Sequence, residues 1–159
     1  MIETASLAER SFGRLAEARG DITRDVLEIY YRQIPSGRES FVRHGLGNVS
    51  ELEGRMVAAT AFLLMKWAEE PYSARIEQGT TIVHHNDTLE IPPRMYIGLI
   101  DAVLEVLLST IPQDCPQELA LWVRVRGEIA TYIESLREEF WRKDQSGPLP
   151  PFPEPDRLA

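Results

Sequence analysis

Apolar residues recur at spacings of three and four through nearly the whole chain, and no stretch alternates polar with apolar long enough to read as a strand. A chain patterned this way buries its apolar stripes by packing helix on helix. Breakers divide the pattern into units. Leu7, Phe12 and Leu15 share a face of a first helix over about Ala5 to Ala18, closed by Gly20. Asp21 then caps a second helix bearing Ile22, Val26, Ile29 and Tyr30. Pro35-Ser36-Gly37 ends that helix, and 42–49, with Gly45, Gly47 and Asn48, reads as an irregular connection. Ser50 and Glu53 form a capping-box pattern for a third helix. Its body, Met56 to Ala68, is apolar on nearly every side, which predicts a path through the middle of the domain. A weaker helix runs from Ser73 to His85 after Pro71. Asn86, Asp87 and Pro92-Pro93 separate it from a helix whose buried stripe is Ile97, Ile100, Leu104, Leu107, Leu108 and Ile111. The last helix, about Gln117 to Lys143, carries Leu119, Trp122, Ile129, Tyr132, Leu136 and Phe140 in register. The reading is an all-α domain of six or seven helices over 1–145. An extended tail over 146–159, with five prolines and no core of its own, follows it.

Composition narrows the functional classes. The chain has 159 residues, 43% of them hydrophobic, which suits one core. A formal net charge of −8 argues against a nucleic-acid partner. No apolar run is long enough for a bilayer, and Glu3, Glu9 and Arg10 do not suit a signal peptide, so the expected compartment is the cytoplasm, away from any membrane. The single cysteine, Cys115, excludes an internal disulfide and a multi-cysteine zinc site, and reads as a free surface thiol. Phosphate-binding glycine loops and nucleophile–base patterns are absent, which favours ligand binding or sensing over catalysis.

Three histidines remain as carriers of chemistry: His44, His84 and His85. Neighbouring residues on a helix project about 100° apart, so His84 and His85 cannot share a pocket and one of them faces solvent. With Asp87 they lie too close in sequence to wrap one metal ion. A histidine in the last turn of a helix has a carbonyl one turn back to take its ring N–H, and for His85 that carbonyl belongs to Thr81. Beyond His85 come Leu89, Ile91, Pro93 and Tyr96, across a helix end and into a proline-led helix start.

That run, His85-Asn-Asp-Thr-Leu89-Glu-Ile91-Pro-Pro93-Arg-Met-Tyr96, resembles the stretch around the iron-binding histidine of globins, at the vertebrate spacing. Two further stretches resemble the bacterial members of that family. Ile22 to Phe41 is similar to their second and third helices, with Phe41 on the phenylalanine that stacks against haem. Glu118-Leu-Ala-Leu-Trp122, with Ile129 and Tyr132, is similar to the start of their final helix. The resemblance spans about Leu7 to Lys143 and implies a globin-like fold binding haem b (iron protoporphyrin IX), with His85 as the iron ligand. It further implies a pocket drawn from Leu27, Phe41, Met56, Leu89, Tyr96 and Val103, and a diatomic gas (oxygen, nitric oxide or carbon monoxide) as ligand. Counting back from His85 places Met56, with Arg55 beside it, on the gas-binding side, where the family carries histidine or glutamine; at the other spacing the position is Glu51. Leu27 stands where bacterial globins carry tyrosine, and Arg137 where they carry the glutamate that pairs with the tyrosine matched by Tyr96. His44 reaches the iron only if its loop folds over the pocket. Arg55 supplies a hydrogen-bond donor only if it turns inward. These departures keep a second expectation open, a haem-free sensor or protein-interaction module on the same scaffold. Either form has a homodimer through the last two helices as its expected assembly.

Overall fold

The computed structural model describes residues 2–144 and 147–152, with side chains from residue 7 onward. Among them are seven α-helices and no strand: α1 (Ile2–Arg19), α2 (Thr23–Gln33), α3 (Ser36–Gly45), α4 (Val49–Glu69), α5 (Pro71–Asp87), α6 (Pro93–Ser109) and α7 (Pro116–Ser135), then a 3-10 turn over Arg137–Glu139. The all-α reading is therefore correct. No helix among the described residues is long and apolar enough to cross a membrane. The expected boundary at 145/146 and the stretch 153–159 lie outside the described residues.

Proline punctuates the helices as its chemistry requires. Pro71, Pro93 and Pro116 each stand in a first turn, where the missing N–H has no intrahelical partner to lose. Asp21 accepts hydrogen bonds from the amide and hydroxyl of Thr23, at 2.9 and 2.7 Å, at the start of α2. Several boundaries differ from the sequence reading, among them α5, which begins at Pro71 and takes in Asn86 and Asp87. Residues 42–45 are helical, and the irregular connection shrinks to three residues before Asn48 caps α4 by accepting from the Glu51 amide at 3.3 Å. Asn48, rather than Ser50, is thus the cap. The last helix ends at Ser135, yet Leu136 and Phe140 stay buried because the 3-10 turn returns them to the core.

α6 is the buried axis. Ile97, Ala102, Val103, Leu104 and Leu107 are fully shielded, and α1, α2, α4, α5 and α7 all pack on it. It meets α2 closely at Gly98, where a β-carbon would run into the Ile34 side chain and lie 3.4 Å from the Tyr30 ring. α4 touches every other helix, as its composition suggests, but it is not covered all round: Ala58, Ala59 and Phe62 are exposed.

A buried polar knot fastens the two ends of the fold. Glu118 in the first turn of α7 accepts from the Ser11 hydroxyl at 2.6 Å and from both terminal nitrogens of Arg14 at 2.8 and 3.0 Å. The Trp122 indole donates to the Ser11 oxygen at 3.0 Å, and Phe12 meets the Trp122 ring edge-on at 5.5 Å. Those hydrogen bonds hold the Glu118 carboxyl below its usual range. Removing the carboxylate would strand a buried hydroxyl and half-bury an unpaired guanidinium. Glu118→Ala is expected to cost about 2–4 kcal/mol, and urea denaturation of variant and unaltered chain measures it.

Candidate functional site

α5 stops just beyond His85. The amides of Thr88 and Leu89 both donate to the His84 carbonyl, at 2.9 and 3.2 Å, and the Ile91 amide donates to the His85 carbonyl at 2.7 Å. Glu90 takes a left-handed conformation, φ 57°, to turn the chain. The segment after α7 clasps this helix end. Buried Asn86 donates to the Arg142 carbonyl at 2.7 Å, and Asp87 accepts from the Trp141 and Arg142 amides, each at 3.0 Å. Those bonds hold the Asp87 carboxyl below its usual range against the cost of desolvation. The turn of helix that carries His85 is thus braced from two directions.

His85 is half-buried, and its Nδ1 lies 2.7 Å from the Thr81 carbonyl. A carbonyl only accepts, so Nδ1 carries the proton, and in the neutral ring the lone pair sits on Nε2. Among the described residues Nε2 has no partner. No sealed side-chain nitrogen or oxygen among them is left unpaired, so Nε2 opens to solvent rather than into a closed core. Burial depresses the His85 pKa first of all. The Thr81 bond opposes that shift, while the nearby charges of His84 and His44 reinforce it. A neutral imidazole with a fixed tautomer and a free Nε2 is the form that ligates metals and haem iron.

Two neighbours complete the setting. Tyr96, in the first turn of α6, presents its ring edge-on to the imidazole with centroids 5.3 Å apart, and its hydroxyl donates to Gln78. Burial drives the Tyr96 pKa well above its ordinary value, so it remains a neutral phenol. From α3, His44 places Nδ1 2.8 Å from the Ser40 carbonyl, repeating the arrangement of His85. Arg43 reaches Glu90 at 3.5 Å, which ties the end of α3 to the turn beyond His85.

The other expected residues divide. Met56 and Leu89 are half-buried. Phe41 is buried, meeting the rings of Tyr30 and Tyr31 edge-on at 6.1 Å each. Val103 is sealed inside α6. Leu27 borders a groove of about 670 Å³ near Tyr31, Arg38 and Glu53, a group that does not include His85. Arg55 is in solvent, as is His84, whose ring stands perpendicular to His85 at 6.3 Å. Among the described residues no three histidine, cysteine or carboxylate side chains gather to hold a metal ion. Arg137, which stands where bacterial globins carry the glutamate, pairs with Glu134, and the Tyr96 phenol has Gln78 as its partner. Gln78 escaped the sequence reading, although its spacing of three and seven from Thr81 and His85 puts all three on one helix face.

No family model, no curated protein and no solved structure matches the chain.

The depressed pKa has a consequence for stability. The unfolded chain takes up a proton at His85 near the ordinary value of about 6.5, whereas the folded chain resists it to lower pH. Protonation therefore favours unfolding. The contribution is complete above about pH 6.5 and declines as pH falls toward the folded value. Urea midpoints measured between about pH 7.5 and about pH 5.5 should drop on acidification, and His85→Gln should flatten that slope.

Proposed function

We propose that this chain is a haem protein of globin-like build, with His85 as the axial ligand of the iron and a diatomic gas as its physiological ligand. The observation that carries the reading is the His85 imidazole, neutral, anchored through Nδ1 to Thr81 and open at Nε2. Bound haem iron supplies a coordination position at which oxygen, nitric oxide or carbon monoxide is held. The protein's part is to aim and tune that position. Thr81 fixes the tautomer and makes Nε2 the more basic nitrogen. Tyr96 restricts rotation of the ring from one side. Met56 and Leu89, half-buried and apolar, are of the kind that would line a porphyrin cleft, while Phe41 packs on Tyr30 and Tyr31, Val103 is sealed and Leu27 borders a groove without His85. With Arg55 in solvent and Met56 and Leu27 apolar, the gas-binding side has no named hydrogen-bond donor, which favours carbon monoxide and nitric oxide over oxygen.

The closed packing of Val103 and the tyrosine contacts of Phe41 favour a second reading, in which the same helices form a haem-free interaction module. A haemin titration separates the two. The first reading expects one haem per chain with a Soret band, loss or displacement of that band in His85→Ala with recovery on adding imidazole, and no effect of His84→Ala. Folded protein that stays colourless with excess haemin favours the second. A Soret band unchanged in His85→Ala removes His85 from the role.

A further inference from the structure

The tail segment 147–152 runs back along α7, held by contacts that repeat every three residues. The carbonyl of Gly147 accepts from the Arg137 guanidinium at 2.7 Å, and that of Pro150 accepts from Arg126 at 2.6 Å. The Leu149 and Phe152 side chains, also three apart, are half-buried against the core, and the Phe152 ring centroid lies 5.8 Å from the Arg126 guanidinium carbon. Pro148, Pro150 and Pro151 face solvent. A proline-rich strand has three residues per turn, no internal hydrogen bonds and free carbonyls, so one edge presents side chains and acceptors at this period. The receiving surface is built to match. Arg126 is almost fully buried and spans Asp101 of α6, with two bonds of 2.9 Å, and the strand. Glu134 accepts the Leu149 amide at 3.1 Å while pairing with Arg137.

We propose that this α6–α7 face is a recognition groove for a proline-rich strand, and that its second occupant is the Gly147–Phe152 segment of another copy of this chain, exchanged reciprocally between two molecules. Three observations carry the assignment. The segment that fits the groove is the chain's own, so every copy brings both halves of the contact. Among the described residues the polar contacts of the strand all engage its backbone, so a strand from a second molecule satisfies the groove equally. Gly147, the first residue of the strand, sits at φ 81°, a left-handed conformation that glycine adopts without strain, so the backbone bends where the strand begins. In one molecule the strand's high effective concentration keeps the groove filled, and exchange therefore grows with protein concentration. The expected dimer through the last two helices takes a specific form here, with a strand crossing between the partners in place of a bare helix face. This inference is independent of haem.

Sedimentation and a peptide probe test it together. The unaltered chain should shift from monomer to dimer as its concentration rises. Leu149→Ala/Phe152→Ala, with its own strand weakened, should remain monomeric and bind a labelled Gly-Pro-Leu-Pro-Pro-Phe peptide at least about tenfold tighter than the unaltered chain does. Circular dichroism checks that the variant is folded, and Phe152→Ala alone serves if the double variant is not. A chain that sediments as monomer at every concentration overturns the proposal, as does a folded variant with no gain in peptide affinity.

Discussion

α6 lies almost wholly out of water, and the other helices are arranged around that fact. Most of its residues are buried, and it carries one charge on that surface, Asp101, which is matched at once by Arg126. A helix so apolar is stable only if neighbours cover most of its surface, and here only Arg94 and Ser109 at its two ends are exposed. The other helices are placed accordingly: α2 crosses it where Gly98 removes a side chain, α4 spans the domain, and α7 closes the remaining side. Fixing α6 also fixes its first turn. Pro93 and Tyr96 arrive at one defined place, beside the last turn of α5, and it is there that His85 loses part of its hydration.

The chemistry at His85 is a consequence of two helix ends meeting. Helix termini leave backbone groups without partners; the last carbonyls of α5 are satisfied by the turn that follows, and side chains of its last turn bind the chain far along in sequence. Asn86 and Asp87 take up amides and a carbonyl of residues 141 and 142, and Glu90 is approached by Arg43 from α3 and by Arg142 at 3.4 Å. The imidazole is thus held by its own helix through Thr81, while the helix end and the turn beyond it are held by two other parts of the chain, α3 and residues 141–142. A ligand atom needs such bracing, because a ring free to rotate gives up much of its directional advantage.

Helix content and the His85–Thr81 contact were legible in the sequence because both follow from short spacings: the three-to-four apolar period, proline in first turns, and a carbonyl four residues before a helix-end histidine. What was illegible depends on distance or on degeneracy. Residues 42–45 carry glycine and precede Gly47 and Asn48, a composition that suits a loop as well as a final helical turn, and the packing of Phe41 on Tyr30 and Tyr31 decides between them. Leu136 and Phe140 keep helical spacing although the helix has ended, since a 3-10 turn buries much the same positions. Ser11 with Glu118, and Arg126 with Pro150, pair across stretches for which a single sequence carries no signal. Within the tail, read as extended and without a core of its own, residues 147–152 form neither helix nor strand, and Leu149 and Phe152 borrow the core of the domain.

The function proposed for His85 requires its ring to be neutral, with the proton on Nδ1 and the lone pair on Nε2. Long-range nitrogen–proton correlation spectra of the chain labelled with nitrogen-15 at histidine report protonation and tautomer directly. For His85, assigned with His85→Gln, an unprotonated Nε2 beside a protonated Nδ1 is expected to persist below the ordinary histidine pKa. A His85 ring that protonates at the ordinary value, or that carries its neutral proton on Nε2, contradicts it.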